Sequence, residues 1–139
     1  MLQLTTRKSL TLAVAKAIAA AAEAEARRNN WNVVIAIFDD GANLMYLERM
    51  DGVQIGSVEV AQSKGASAIK FQRPSLQFAE FVNGDMPGMG FLPGVTPVEG
   101  GLPLMVDGQI VGAIGVSGVR SEEDGVVAKA GADFASTLE

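Results

Sequence analysis

The stretch Leu102–Ser117 constrains the fold more than any other part of this chain. Two apolar runs, Leu102 to Val106 and Gln109 to Ser117, meet at Asp107-Gly108. Asp-Gly supplies the positive φ angles of a two-residue hairpin turn. A second pair of β-rich runs, Asn32 to Phe38 and Asn43 to Met50, flanks Asp39-Asp40-Gly41-Ala42, which has turn chemistry. Strands joined as hairpins must be antiparallel. The first of these strands is apolar at nearly every position (Val33, Val34, Ile35, Ile37), so it is expected at the centre of a sheet covered on both faces.

The remaining regular segments read as helices that cover the sheet. Leu10, Val14, Ile18 and Ala21 recur at helical spacing in an Ala-rich segment, predicting a helix from Thr6 to Asn29 capped by Thr5 or Thr6. Val58, Ala61, Gly65, Ala68 and Phe71 mark a second helix, about Ser57 to Phe71, with Lys64 beside its inner stripe. Pro74-Ser75 starts a short third helix, Leu76 to Val82. Ser121-Glu122-Glu123-Asp124 opens a last helix carrying Val127, Ala130, Phe134 and Leu138. The expected architecture is α+β: one antiparallel sheet flanked by helices, in the order α-β-β-α-α-β-β-α. No repeat or linker divides residues 1–139, which read as a single domain.

Composition narrows the chemistry. The net charge is −5, which argues against a nucleic-acid partner, and no apolar run is long enough to span a membrane. Arg7 and Lys8 precede an apolar stretch, yet Lys16 interrupts it. A packed helix and a cytoplasmic location are therefore expected. With no Cys and no His, there is no thiolate metal site, no expected metal centre and no Ser–His–Asp nucleophile for Ser117 to join.

The remaining candidates are few. Arg49 can clamp a ligand carboxylate or pair locally with Asp51. Lys64 can hold an anion, act as a base, or pair with an acid near the sheet. Glu99 can move a proton if buried, or be a solvated acid before a tight turn. Gly100 and Gly101 admit either a ligand or another backbone. Residues 83–101 form an apolar loop rich in Gly and Pro. There Met86, Met89 and Phe91 line a flat ligand or meet a second subunit. Backbone N–H groups ahead of the last helix can hold an anion, but Glu122, Glu123 and Asp124 favour simple capping.

The sequence resembles the GlcG/HbpS-like family, also called the haem-degrading domain family and related to the PduO C-terminal domain. The likeness is carried by the stretch from Asp40-Gly41 through Arg49-Met50-Asp51-Gly52, then Ala61-Gln62-Ser63-Lys64, Gly100-Gly101-Leu102-Pro103, Gly112-Ala113-Ile114-Gly115-Val116-Ser117-Gly118 and Glu123-Asp124, and spans nearly the whole chain. The resemblance implies a profilin-like or roadblock-like fold and a homodimer or higher homo-oligomer. It also implies a haem or corrinoid ligand, although a chain without His or Cys leaves iron ligation to Met, Tyr46, Lys or nothing. Three functions follow as expectations. The first is a homo-oligomeric binder of an anionic or tetrapyrrole-like small molecule, with its pocket between the 83–101 loop and the second hairpin. The second is a catabolic enzyme moving protons on a small carboxylic acid through Lys64 or Glu99. The third is a non-catalytic oligomerisation module.

Overall fold

The computed structural model describes residues 1–139. Its elements are α1 (Leu12–Arg28), β1 (Val34–Asp39), β2 (Leu44–Arg49), α2 (Gly56–Phe71), α3 (Ser75–Asn83), a 3-10 segment (Pro87–Phe91), β3 (Gly101–Val106), β4 (Gln109–Ser117) and α4 (Ser121–Ala135). The four strands form one antiparallel sheet in the order β2-β1-β4-β3. The α+β architecture and element order are those the sequence predicts.

Three layers result. On one face α1 and α4 pack together over the sheet, where Ala15, Ile18, Ala22, Val127 and Ala128 meet Ile35, Ile37, Ile114 and Val116. On the other face α2 buries Ala61, Ala68 and Ile69 against Val34, Ala36, Phe38 and Ala113. Strand β1 thus contributes alternate residues to two cores, which is why it carries no polar face.

Helix α1 starts later than the sequence predicts. Its cap is Thr11, whose side-chain oxygen accepts the Val14 N–H at 3.2 Å, rather than Thr5 or Thr6. Residues 1–9 carry no regular structure. The salt bridges Arg7–Asp40 (3.1 Å) and Lys8–Asp107 (3.3 Å) draw residues 7 and 8 to the two hairpin turns instead. Helix α4 is capped through Arg120, whose N–H donates to Glu123 at 3.3 Å, one residue ahead of the expected start of the box. No helix is long and apolar enough to cross a membrane.

The strand glycines admit backbone. A Cβ at Gly115 would collide with the Ala61 carbonyl oxygen and sit 2.5 Å from the Gly65 nitrogen. Helix α2 therefore lies directly on β4 along a Gly–Gly contact that no side chain can enter.

Candidate functional site

The edge strand β3 forms the floor of a cleft of about 590 Å³. Gly125, Lys129, Ala132 and Asp133 of α4 form one wall; their spacing places them on one helix face. Gln72, Pro74 and Leu76, at the α2–α3 junction, form the other. Gly101, Leu102, Pro103 and Met105 run between the walls, Ile110 closes one end, and Glu99 with Gly100 the other. The lining is mainly apolar, with charge confined to Glu99, Lys129 and Asp133. Lys129 and Asp133 pair at 2.7 Å and are both well exposed.

Directly behind Gly100 sits Lys64. Its ammonium donates to Asp124 Oδ2 at 2.8 Å and to the Val116 carbonyl at 3.1 Å, and both side chains of the pair are only 2% exposed. The other Asp124 oxygen accepts the Val119 N–H at 3.1 Å. Burial pushes the Asp124 carboxyl above its ordinary range, while Lys64 and the Val119 amide pull it back. The pair ties α2 to the first turn of α4. The acids there satisfy the Val119 and Arg120 N–H groups, so the start of α4 serves capping rather than anion binding.

Gly100 and Gly101 are needed for this arrangement. At Gly100, with φ +133°, a Cβ would lie 2.6 Å from the Val116 oxygen and 2.9 Å from Lys64 Nζ. At Gly101 it would strike the Lys64 carbonyl. Of the two roles foreseen for these glycines, the structure uses close approach of backbone. Glu99 is half-buried, packed against Gly125. Burial raises its pKa, Glu122 adds to the rise and Lys64 opposes it.

The structure therefore gathers Lys64, Glu99, Gly100 and Gly101 at one end of the cleft. It does not bring Arg49, Asp51, Met86, Met89 or Phe91 there. Arg49 and Asp51 lie at the end of β2, three strand spacings or about 14 Å across the sheet. The Arg49 guanidinium donates to the Val53 carbonyl at 3.4 Å. Met86 and Phe91 face solvent, Phe91 at 89% exposure. The cleft lies beyond the expected 83–101 loop and shares only residues 99–101 with it. Sequence reading missed Leu76, Met105 and Lys129. Helical spacing within α4 could have placed Lys129 beside Gly125, but nothing in the sequence sets α4 opposite Leu76.

A second acidic feature lies on the opposite edge. Glu48 of β2 is hydrogen-bonded to Glu23 of α1, and burial together with that neighbour raises Glu48 to about 7. Hydrogen bonds from Glu48 and Arg27 hold Glu23 below its ordinary value. The two carboxyls titrate as a coupled pair, with Glu48 keeping its proton to higher pH than Glu23.

A four-stranded antiparallel sheet with α1 and α4 on one face and α2 on the other, and an apolar cleft along its β3 edge, defines a class of α+β domains. Residues 10–133 match the family described as haem degrading protein HbpS-like, and the chain belongs to that family. It is 41% identical over 112 residues to protein GlcG of Escherichia coli (strain K12), covering 81% of this chain and 84% of that protein. The crystal structure of Klebsiella pneumoniae protein ORFY superposes with a TM-score of 0.90 at 29% identity, over 100% of this chain and 99% of that one. A variant of Streptomyces reticuli HbpS superposes with a TM-score of 0.85 at 30% identity, over 94% and 90% of the two chains.

Proposed function

We propose that this protein binds a flat, amphipathic small molecule in the β3 cleft, with haem the first candidate, and that it works as a homo-oligomer. The observation that carries the reading is the cleft itself. Its volume lies within the roughly 300–1,000 Å³ of small-molecule sites, and Pro74, Leu76, Leu102, Pro103, Met105 and Ile110 give it apolar surfaces. A tetrapyrrole asks for such a slot, for a cation near its carboxylates and for an axial donor if it carries iron. Lys129 is the cation on the lining and Met105 its one sulfur donor. The residues present therefore fit haem without His or Cys. Lys129, giving up its exposed partner Asp133, would hold a propionate, and Met105 would be the donor to the iron. Bound haem would supply a redox-active iron, while the chain orients it and excludes water. Tyr46, the other donor considered, packs toward the α1–α4 core on β2.

The exposed apolar lobe of Met86, Phe91 and Leu92 supports the oligomer. These side chains stand outside the cleft, and a second subunit is the natural cover for them. The enzyme reading draws less support, because Lys64 is enclosed with its partner and leaves Glu99 as the only one of its two proton carriers on the lining.

Haemin titration followed by absorbance tests the ligand. A saturable Soret shift at one haem per chain is expected; a featureless, non-saturating response overturns haem for this protein. Light scattering on a sizing column tests the assembly, and a species of monomer mass at micromolar concentration overturns it.

A further inference from the structure

We propose that the amino-terminal segment Met1–Thr6 is a strap that docks along the exposed edge of β3 and closes the cleft. The structure holds two unpartnered features joined by a short pinned connection. The first is the segment itself. It carries no regular structure, with Leu2 and Leu4 fully exposed at 102% and 99%. Two leucines two positions apart fall on one face of an extended chain, with Gln3 and Thr5 on the other.

The second feature is the strand edge. Ser75 Oγ accepts the Gly101 N–H at 2.8 Å and donates to the Gly101 carbonyl at 3.4 Å, so the Gly101 backbone points away from β4. The Gly100 carbonyl accepts from Val116 and points toward it. Strand alternation then turns the backbone groups of Pro103 and Met105 outward as well. Pro103 has no N–H. That leaves the Pro103 carbonyl and both Met105 backbone groups facing the cleft without a strand partner. Beside them, Met105 is 40% exposed and Leu76 37%.

The pins set the geometry. Lys8 is held at the β3–β4 turn by Asp107 and by a bond from its own N–H to Gln109 at 3.3 Å. Arg7 shares a surface hollow with Gln72 and Ile110, the residues at that end of the cleft. From there six residues reach about 20 Å, the length of β3. The strap would run parallel to β3, bonding at Met105 and the Pro103 carbonyl and laying Leu2 and Leu4 on apolar lining. Burying two leucines contributes about 3–6 kcal/mol and the new backbone bonds about 0.5–1.5 kcal/mol each, against roughly 6–12 kcal/mol for ordering six residues, so docking is marginal at best and small changes, among them a ligand in the cleft, set its occupancy. Only that competition rests on the ligand reading above; the docking does not.

The chain has no native cysteine, which makes cross-linking selective. In Leu4→Cys/Met105→Cys under mild oxidation, an intramolecular disulfide should form on the order of tenfold faster than in the control Leu4→Cys/Ile55→Cys, since docking raises the effective concentration of the pair. Equal rates overturn the strap. A linked dimer in place of a linked monomer overturns it too, because the segment then docks on a second copy. A chain lacking residues 2–6 should bind haemin several-fold more tightly than the full chain. If cross-linking succeeds and neither chain binds haemin, the strap stands and the ligand reading fails.

Discussion

Lys64 and Asp124 meet at 2.8 Å with both side chains 2% exposed, and the pair joins α2 to α4 across the end of the sheet. A buried ion pair adds little net stability, but losing one partner strands the other charge away from water. Lys64→Met should therefore cost about 3–5 kcal/mol. Replacing both, as Lys64→Met with Asp124→Leu, should recover most of that loss. Urea unfolding of the three variants checks it. A single variant as stable as the parent would mean that Asp124 finds water.

The Gly65–Gly115 contact makes a sharper demand. Gly115→Ala places a methyl group against the Ala61 carbonyl, and both neighbours are backbone that cannot turn aside. The helix must lift from the sheet, at a cost of about 1–3 kcal/mol or more. Gly108→Ala offers the contrast: nothing lies within 4 Å there, and the penalty comes from its φ of +77° alone. Thermal melts of the two should separate steric from conformational cost.

Helix capping distinguishes the expected start of α1 from the observed one. Thr11→Ala removes the acceptor of the Val14 N–H and should destabilise by about 1 kcal/mol. Thr6→Ala should change nothing measurable. Equal effects at the two positions would place the helix start where the sequence pattern alone put it.

The Glu23–Glu48 pair gives a pH signature. Glu48 titrates near 7 in the folded chain against an ordinary 4.5, so the folded state holds its proton more tightly than the unfolded state does. Its contribution is fully present below about pH 4.5 and is lost as pH rises through 7. Glu48→Gln should therefore be more stable than the parent at pH 8, by on the order of 1–2 kcal/mol once solvent screening is allowed for. Below pH 4.5 the two should converge. Denaturant midpoints at pH 4, 6 and 8 follow the trend, and a gap that does not change with pH would remove the raised Glu48 titration.

The cleft makes its own prediction about residues. Met105→Ala should move the Soret band of the haemin complex. Lys129→Glu should weaken binding about tenfold, equivalent to 1.4 kcal/mol. Phe91→Ser should alter neither, because Phe91 lies away from the lining. A Phe91 effect as large as that of Met105 would move the site to the 3-10 segment.

Local chemistry made much of this chain legible. Asp107-Gly108 dictates a hairpin because its backbone angles suit few other residues, and the unbroken apolar run of β1 dictates a strand covered twice. Both follow from neighbours in sequence. The site did not, because its parts come together only when distant segments pack. Whether Lys64 meets a ligand or an acid depends on Asp124, sixty positions away, reaching the same buried point. Whether Gly101 faces a ligand or a carbonyl depends on where α2 lies. The sequence by itself determined the elements, their order and the antiparallel sheet, since these rest on turn chemistry and periodicity. The tertiary structure alone decided that Lys64 is enclosed, that Arg49 lies across the sheet and that Met105 and Lys129 share a cleft, since proximity between remote segments is a property of packing.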